Sequence, residues 1–368
     1  MNILILSNSD VGLYQFRKEV IDGLLLDQHC VYIATPGGER VIDLMKMGCT
    51  FYQVNINRRG MNPLEDIKLI KTYASILRKC KPDVVLTYTI KPNIYGGFVC
   101  KLKKRPCIAN ITGLGTAIEN GGWKAQLVLF LYKLALKDAS CVFFQNKSNE
   151  NYFEKKKINI KNEKLLPGSG VNLNYHKYET YPLSNSVCTF LFAGRIMKNK
   201  GIDELLTAFE EISQRYTNVK CIIVGSFEEN YKEKIEKLDK KGVVKYVGFV
   251  KDIRPYLKEC WAVIQPSYHE GMSNVLLEAA ATGRPVLASR IPGCKETFEE
   301  NITGIGFNAQ DAYSLIHAIE KFINLTYEEK KRMGIEGRKK VEREFDRTIV
   351  VNEYKKEISK IGDENEYI

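Results

Sequence analysis

The sequence contains no long uninterrupted run of apolar residues. Residues 127–136 form its longest apolar stretch, and Lys133 interrupts it, whereas a membrane-spanning helix needs about 20 consecutive apolar residues. The first six residues, MNILIL, have no basic segment ahead of them, so they lack the pattern of a secretory signal. We therefore expect a cytoplasmic protein whose contact with any membrane is peripheral.

Common metal-binding patterns are absent as well. The sequence has no D-x-D motif, and its four histidines, at positions 29, 176, 269 and 317, show no H-x-x-x-H spacing. Zinc and other cation sites are usually built from clusters of such residues. The sequence therefore predicts no metal site.

Paired cysteines are also missing. There are ten cysteines, none of them in a C-x-x-C pair, and most lie in apolar runs, as Cys141 and Cys221 do. Free buried thiols in a reducing compartment explain this pattern better than disulfides or zinc ligands.

The positive charge is confined to one half of the chain. Residues 1–172 hold 25 Lys and Arg against 14 Asp and Glu, a net charge of +11, whereas residues 173–368 hold 30 of each. Such a bias indicates an anionic partner: a membrane surface, nucleic acid or a phosphorylated acceptor. The alternative is a charge that serves only solubility.

Apolar β-rich runs alternate with segments of helical period along the whole chain. This alternation predicts parallel sheets covered by helices on both faces. We predict an N-terminal Rossmann-like domain over 1–172 and a second one over 188–348, with a helix over 349–361 that packs back on the first. The predicted strands are 3–6, 29–35, 51–56, 84–87, 107–111, 142–145, 189–193, 219–224, 244–247, 262–265 and 285–289.

Ligands of such sheets bind outside the carboxyl ends of the strands, so the loops that follow strands are the informative ones. One of them follows strand 189–193 and contains Gly194, Arg195, Lys200 and Gly201. Glycines allow a ligand to approach the backbone, and two cations suit a diphosphate. The alternative is that both cations are simply solvated.

A second loop follows strand 262–265 and leads into a helix at about Ser273, a residue that can cap it. The free N–H groups of a helix start attract anions. Glu270 precedes the helix and Glu278 lies on it. With no lysine close in sequence, these carboxylates are expected to bind sugar or ribose hydroxyls, although Glu278 alone would suit a surface helix.

These two loops resemble the signatures of family 4 retaining glycosyltransferases. Glu270 and Glu278 form an E-x7-E motif, and the Arg195 and Lys200 loop precedes it in the order that the family shows. The segments Phe16-Arg17, 111–116 and 167–172 are also similar to bacterial members that extend undecaprenyl-diphosphate-linked sugars in surface polysaccharide or glycan assembly. The similarity spans nearly the whole chain.

The resemblance implies a GT-B fold, in which two doubly wound Rossmann-like domains face a central cleft, and a UDP-sugar donor without any cofactor. It implies that Arg195, Lys200 and Glu270 are catalytic: the cations neutralise the donor diphosphate and Glu270 holds the donor sugar. The remaining donor-binding residues would be Gly194, Gly225, Phe249, Val250, Gly271, Met272, Ser273, Asn274 and Glu278. Of these, Gly225 would also fit an ordinary strand-to-helix turn. The donor sugar is left open among an N-acetylhexosamine, a hexose and a uronic acid, with Met272 and Ser273 shaping the choice.

The chain departs from the family at one position. Many members carry a histidine after the fourth strand of the first half, where this sequence has Ile90 followed by Lys91 and Asn93. A front-face reaction, in which the leaving phosphate deprotonates the acceptor hydroxyl, needs no such base. We therefore name no nucleophile.

The acceptor is expected to be a polyprenyl-diphosphate-linked saccharide, bound by the first half at the anionic inner face of the cell membrane. Its expected ligands are Arg17, Arg58, Arg59, Lys91, Asn93, Gly113 and Gly115. A basic run over 101–105 and an apolar group of Trp123, Leu127, Phe130 and Leu131 lie in the same half. Cations also favour helix C-termini, and core packing is the expectation for most of the apolar group.

Two other functions remain open. A GT-B sugar-nucleotide epimerase shares the architecture and needs no acceptor, and a non-catalytic nucleotide-sugar binding protein would tolerate the missing histidine. Nucleic-acid binding is not expected, because the basic residues are dispersed and form no recognisable nucleic-acid module.

Overall fold

The computed structural model describes residues 1–57, 60, 62–115, 118, 121–185 and 187–366. The chain divides into two compact units: Met1–Ser169 with Arg347–Ile368, and Gly170–Asp346. Because the C-terminal segment belongs to the first unit, that unit carries 29 basic against 19 acidic residues, whereas the second carries 26 against 25. The charge imbalance therefore remains with the first unit, at +10 against +1.

The first unit is built on a seven-stranded parallel sheet in the order β3-β2-β1-β4-β5-β6-β7. Its strands are β1 (Asn2–Leu6), β2 (Cys30–Thr35), β3 (Thr50–Gln53), β4 (Val84–Tyr88), β5 (Cys107–Ile111), β6 (Cys141–Phe144) and β7 (Glu163–Leu165). Its helices are α1 (Asp10–Leu26), α2 (Glu39–Lys46), α3 (Pro63–Cys80), α4 (Gly97–Leu102), α5 (Gly122–Leu136) and α6 (Lys147–Lys155), with a π-helical turn at Pro92–Gly96 before α4. The sequence did not predict β7 or α6.

The second unit contains a six-stranded parallel sheet in the order β10-β9-β8-β11-β12-β13. Its strands are β8 (Cys188–Ala193), β9 (Val219–Val224), β10 (Val244–Gly248), β11 (Ala262–Gln265), β12 (Val286–Ser289) and β13 (Gly304–Phe307). Its helices are α7 (Ile202–Arg215), α8 (Lys232–Lys240), α9 (Arg254–Glu259), α10 (Asn274–Ala281), α11 (Ala312–Asn324) and α12 (Tyr327–Glu344). Strand β13, which contains two glycines, was not predicted.

The last helix, α13 (Arg347–Glu366), packs into the core of the first unit. Val350, Tyr354 and Ile358 recur at helical spacing and are buried in the cluster that contains the apolar side chains of β1. The Tyr354 hydroxyl also accepts a hydrogen bond from Asn110 Nδ2 on β5 at 2.7 Å. This helix is therefore part of the core of the first unit.

A buried carboxylate fixes the second half of α13. Glu357 contacts Lys164 Nζ at 2.8 Å, Lys360 Nζ at 2.7 Å and Asn162 Nδ2 at 2.8 Å. Burial alone would raise the pKa of Glu357, but these hydrogen bonds outweigh it and lower that pKa to about 2. The ionised carboxylate therefore stabilises the folded state.

Both sheets reverse their strand order at one point, between β1 and β4 in the first unit and between β8 and β11 in the second. Parallel sheets of this kind bind ligands at the carboxyl ends of the strands beside such a reversal. In the second unit, the two loops that carry the signature residues follow β8 and β11. Across the described residues, no helix has both the length and the apolar character that crossing a bilayer requires.

Candidate active site

The loops after β8 and β11 are fastened to each other through their backbones. Tyr268 N–H donates to the carbonyl oxygen of Asn199 at 3.0 Å. Gly201 has a φ of +72°, and a Cβ atom on it would lie 2.0 Å from the carbonyl oxygen of Pro266. Only glycine permits both this backbone conformation and so close an approach. Gly201 therefore sets the spacing between the two loops.

Glu270 is held through one of its two carboxylate oxygens. Its Oε1 lies 2.5 Å from Lys200 Nζ and accepts hydrogen bonds from Ser267 Oγ at 2.7 Å and Gln265 Nε2 at 3.1 Å. The side chains of Lys200 and Glu270 are 16% and 13% exposed. In the described structure, Glu270 Oε2 makes no hydrogen bond to the protein, so this oxygen is directed at no competing partner.

The ion pair corrects the expectation that Glu270 has no lysine partner. Lys200 is distant in sequence, but the junction of the two loops brings its ammonium onto the carboxylate. Lys200 therefore has two effects: it orients Glu270, and it adds positive charge beside the place expected for the donor diphosphate.

Gln265 and Ser267 are site residues that sequence reasoning missed. Both are buried, and Gln265 Nε2 also donates to Ser267 Oγ at 2.7 Å. Their signal in the sequence was position alone, since they end β11 and begin the loop that carries Glu270. Their hydrogen bonds hold the carboxylate of Glu270 in place.

The loop after β12 packs closely against the backbone of the loop that carries Glu270. A Cβ atom on Gly293, whose φ is +82°, would lie 2.6 Å from the carbonyl oxygen of Glu270 and 2.7 Å from that of Gly271. Ser273 N–H donates to the carbonyl oxygen of Gly293 at 2.8 Å. A backbone carbonyl therefore already occupies this N–H, and the assignment of Ser273 to donor binding stays a prediction.

Helix α10 begins directly after the loop that carries Glu270. Ser273 is its N-cap residue, as predicted, but its side chain makes no capping hydrogen bond. Asn274 Oδ1 is buried, and no described residue forms a hydrogen bond with it, which suits the predicted role of Asn274 in ligand binding. Met272 is buried in an apolar cluster with Leu277 and Val341. Its side chain is therefore part of the core, contrary to the expectation that it shapes sugar choice.

Glu278 lies beside a second group of side chains in the same unit. Its Oε1 is 3.9 Å from His176 Nε2. Nearby, Asp252 accepts hydrogen bonds from the guanidinium of Arg254, which lower the pKa of Asp252, and Arg254 stacks 3.8 Å from the ring centre of Tyr175. The sequence did not predict His176, Tyr175 or Arg254 near Glu278. The assignment of Glu278 to ribose binding stays a prediction.

The loop after β8 also contacts the loop after β9. A Cβ atom on Gly225, whose φ is +151°, would lie 1.8 Å from the carbonyl oxygen of Gly194, so Gly225 is needed for the approach of the two loops. Arg195 is 56% exposed and lies 4.0 Å from Glu228, which leaves its guanidinium in solvent. After β10, Phe249 is exposed and Val250 packs against the apolar core. An exposed ring at the carboxyl end of a strand is suited to stacking on a nucleobase.

The cysteine and the tyrosine close to Glu270 are poor candidates for covalent chemistry. Cys294 lies in the loop after β12 and is fully buried. Its burial, and to a smaller extent the negative charge of the nearby Glu270, raise the pKa of its thiol well above the usual value. Burial and a hydrogen bond to Glu204 also raise the pKa of Tyr268. Both groups therefore stay protonated at neutral pH. In the described part of the chain, no group of three His, Cys, Asp or Glu side chains can hold a metal ion; metal independence stays a prediction.

The residues of the first unit that were predicted to bind the acceptor lie in several different environments. Arg17 is only 3% exposed; its Nη1 donates to the carbonyl oxygen of Phe16 at 2.8 Å, and its guanidinium lies 5.1 Å from the ring centre of Tyr88. Such a buried cation cannot meet a lipid surface, and its assignment to acceptor binding stays a prediction. Its Nε, however, is buried and has no hydrogen-bond partner within the described ranges.

Lys91 and Asn93 both contact other residues of the first unit. Lys91 Nζ pairs with Asp66 at 2.7 Å. Asn93 is fully buried, accepts a hydrogen bond from Thr87 Oγ1 at 2.7 Å and donates one to the carbonyl oxygen of Asn110 at 2.9 Å. Asn93 is therefore a structural link between β4 and β5, and its assignment to the acceptor stays a prediction.

Two predicted glycines lie after β5, and both have positive φ angles, 157° at Gly113 and 77° at Gly115. A Cβ atom on Gly115 would lie 2.5 Å from Cδ1 of Ile90, the residue that stands where many family members have histidine. Arg58 and Arg59, also predicted to bind the acceptor, fall outside the described residues.

Two family models match the chain in succession. The model "Glycosyl transferase 4-like" matches residues 2–146 and the model "Glycosyl transferases group 1" matches residues 182–340. Together they cover most of both units. The chain belongs to the glycosyltransferases. This confirms the family and the enzyme class that the loops after β8 and β11 predicted.

Similar proteins extend over nearly all of this glycosyltransferase. An N,N'-diacetylbacillosaminyl-diphospho-undecaprenol alpha-1,3-N-acetylgalactosaminyltransferase from Campylobacter jejuni is 27% identical, over 97% of this chain and 98% of its own. A capsular polysaccharide biosynthesis glycosyltransferase, CapM, from Staphylococcus aureus is 26% identical, over 80% of this chain and 81% of its own.

Solved structures confirm the fold of the glycosyltransferase. Anabaena HepE, crystallised with UDP and glucose, superimposes with a TM-score of 0.79 over 98% of this chain and 100% of its own, at 18% identity. Two parallel-sheet Rossmann-like units in this order constitute the GT-B fold that the sequence predicted.

Proposed function

We propose that the enzyme transfers a sugar from a UDP-sugar to a polyprenyl-diphosphate-linked saccharide, with retention of anomeric configuration. The saccharide would be an intermediate of surface polysaccharide or glycan assembly. The donor would bind at the carboxyl ends of β8 and β11, and the reaction would need no metal and no cofactor.

One observation carries this proposal: the carboxylate of Glu270 is held by three donors on Oε1 and leaves Oε2 without a partner among the described residues. A fixed carboxylate of this kind is preorganised to accept hydrogen bonds from sugar hydroxyls. Lys200 joins it to the loop that also carries Arg195. A carboxylate for the sugar and cations for the diphosphate therefore lie in one place, as a nucleotide-sugar donor requires.

The chemistry follows from these charges. The bond between the anomeric carbon of the sugar and the diphosphate oxygen breaks, and the electron pair goes to the diphosphate. Arg195 and Lys200 would stabilise that developing negative charge, an effect worth about 3–4 kcal/mol per group in other enzymes. The acceptor hydroxyl attacks the same face of the sugar, and its proton passes to the leaving phosphate oxygen. No basic side chain at position 90 is needed for this step.

Two features support the acceptor class. The C. jejuni relative acts on a diphospho-undecaprenol-linked sugar, as its name states. The first unit of this chain carries a net charge of +10, which attracts a diphosphate at an anionic membrane surface. We therefore propose a peripheral position on the inner face of the cell membrane.

Ligand binding is the first test. We expect UDP and one UDP-sugar to raise the unfolding temperature in the presence of EDTA, because a ligand at 100 times its Kd stabilises a protein by about 2.7 kcal/mol. GDP and ADP serve as comparisons. If no nucleotide binds with or without added Mg²⁺, the assignment of the donor site is refuted.

Product analysis is the second test. The donor found in the binding screen is incubated with polyprenyl-diphosphate-linked saccharides, and the anomeric configuration of the product is determined by NMR. A sugar-nucleotide epimerase would convert the donor without any acceptor, and a binding protein would convert nothing. Glu320→Gln provides the matched control for changes at Glu270, because Glu320 is another partly buried, ion-paired carboxylate of the second unit, whose partner is Arg215 rather than Lys200.

A further inference from the structure

Helix α5 of the first unit has two apolar faces. Val128, Leu129, Tyr132 and Leu136 are buried on the inner face. On the opposite face, four large apolar side chains are 40% to 71% exposed: Trp123, Leu127, Phe130 and Leu134. We call these four residues the α5 stripe. Trp123, Leu127 and Phe130 belong to a group most of which was expected to pack in the core, and the exposure of these three overturns that expectation.

The α5 stripe is continuous. Its members follow each other at spacings of four, three and four residues, which places them within an arc of about 60° on a helix with 3.6 residues per turn. The stripe is about 16 Å long at 1.5 Å per residue. Soluble proteins usually expose large apolar residues singly, and a contiguous row that contains two aromatic rings indicates a surface that is covered in use.

Positive charges flank the α5 stripe. Lys124 and Lys133 lie on either side of it, about 90° around the helix, and both are exposed. The sequence of α5 contains no acidic residue. Asp138, which follows the helix, is neutralised by Lys101 at 2.9 Å. The helix therefore presents an apolar centre with cationic edges.

A neighbouring helix extends the positive region. Helix α4 packs beside the end of α5, where a Cβ atom on Gly97 would lie 3.2 Å from the carbonyl oxygen of Ala135. Its end continues into an exposed basic run, made of Lys101, Lys103, Lys104 and Arg105. The same unit carries the chain's excess positive charge.

This charge arrangement identifies the partner. A second copy of α5 placed on the stripe would bring the lysines of both copies together, and their repulsion opposes self-association. An anionic bilayer instead offers apolar chains to the stripe and phosphate groups to the lysines. Aromatic residues on an interfacial helix insert at the level of the headgroups, and lysines beside them bind anionic lipid.

We propose that the α5 stripe docks the first unit on an anionic lipid bilayer, with the axis of α5 in the membrane plane and Trp123 and Phe130 inserted. This inference rests on the proposed function, because it identifies the surface that reaches a membrane-borne acceptor. Lys124 and Lys133 contact lipid phosphates, and the basic run after α4 adds a second, more peripheral contact.

Flotation with lipid vesicles tests the docking. The full-length enzyme is mixed with vesicles of phosphatidylcholine, with or without phosphatidylglycerol. We expect the wild type to float with the anionic vesicles at low salt and to be released as salt screens the lysines. The double variant Trp123→Ser/Phe130→Ser should bind at least about tenfold more weakly, since each ring loses several apolar carbons from the interface. The control Leu26→Ser/Tyr313→Ser removes two exposed apolar residues elsewhere and should float like the wild type.

Charge reversal tests the flanking lysines separately. Lys124→Glu/Lys133→Glu should also weaken binding at least about tenfold. Its control, Lys237→Glu/Lys240→Glu, changes two exposed lysines of α8 and should have little effect. Trp123 fluorescence gives a direct measure of insertion in a Trp261→Phe background, and it should shift to shorter wavelength only with anionic vesicles.

Three results would overturn the docking proposal. The wild type fails to float, the controls lose binding as much as the stripe variants do, or the stripe variants abolish self-association of the wild type measured without lipid. UDP binding and transfer to a short-chain, detergent-soluble acceptor distinguish this failure from failure of the proposed function. The stripe variants should keep both. An enzyme that floats through α5 but transfers no sugar would refute the transfer reaction and leave the docking in place.

Discussion

Replacing Gly201 by alanine should separate the two loops that hold Glu270. Gly201 and Gly242 both have φ angles near +70°, at 72° and 75°, but their surroundings differ. A Cβ atom on Gly201 would lie 2.0 Å from the carbonyl oxygen of Pro266, whereas one on Gly242 would have nothing within 4 Å. Gly242→Ala therefore measures the cost of the backbone conformation alone.

The two costs can be estimated. A non-glycine residue in the left-handed region costs about 1–2 kcal/mol, which is the whole effect expected of Gly242→Ala. Gly201→Ala must in addition move Pro266 by about 1 Å, and such overpacking costs a further 1–3 kcal/mol or so. We expect Gly201→Ala to lose about 2–5 kcal/mol in total. Because a displacement of about 1 Å at a reacting group lowers turnover about 100-fold, activity should fall as well.

Urea unfolding followed by tryptophan fluorescence measures the difference. The chain has two tryptophans, and Trp261 is the buried one in the core of the second unit. In a Trp123→Phe background the signal therefore reports on the unit that contains both glycines. A shift of the midpoint at unchanged slope gives the loss of stability.

Equal midpoint shifts in the two variants would refute the reasoning, since they would mean that Pro266 imposes no constraint on Gly201. Wild-type turnover in Gly201→Ala would also contradict it. Gly242→Ala should retain full activity.

Three further predictions concern the site, the thiols and acid stability. Arg195→Ala, Lys200→Ala and Glu270→Ala should each lower turnover at least about 100-fold, with near-normal rates in all three meaning that the site lies elsewhere. Cys30 is the exposed cysteine and the other nine are buried, with burial raising thiol pKa values to about 12 at Cys49, so one thiol of the native enzyme should react quickly with a disulfide reagent and none in Cys30→Ser. The folded pKa of Glu357, about 2, lies below its ordinary value of 4.5, so its stabilisation of about 3 kcal/mol is present above pH 4.5 and lost as the pH falls towards 2. The free energy of unfolding of Glu357→Gln should therefore fall less steeply over that range, and parallel curves would contradict the assignment.

Much of the fold was readable from the sequence because buried parallel strands are short apolar runs. The strands Cys107–Ile111, Val219–Val224 and Ala262–Gln265 have the predicted bounds. Strand β7, Glu163–Leu165, was missed because an edge strand of three mostly polar residues has no apolar pattern. Strand β13, Gly304–Phe307, was missed because alternate glycines conceal its apolar residues.

The candidate site was predictable only where its residues lie close together in sequence. The spacing of Glu270 and Glu278 was visible, whereas the pairing of Glu270 with Lys200 depends on how two loops meet and has no local signal. Whether a polar side chain is buried was equally impossible to predict from the sequence. Polar residues such as Asn93 that follow a strand can point to solvent or into the core, and here the buried amide links two strands.

The outward face of α5 shows the opposite error, because here the sequence predicted burial and the side chains are exposed. A helix with apolar residues all around is ordinarily buried, so core packing was the reasonable expectation for Trp123 and Phe130. Only the three-dimensional arrangement reveals that one apolar face is already satisfied by the sheet and that the other is exposed.

The second unit begins and ends at adjacent points. The chain enters it at Gly170 and leaves it at Asp346, and Val171 lies beside Asp346 in a β-bridge, with its N–H donating to the carbonyl oxygen of Phe345 at 2.8 Å. A unit whose ends meet can be excised or transplanted as one continuous piece, because closing the gap requires no long linker. Residues 170–346 are thus a natural cassette: replacing them with the equivalent segment of a relative would change the proposed donor-binding unit through two neighbouring junctions, while the first unit keeps α13 and its own core.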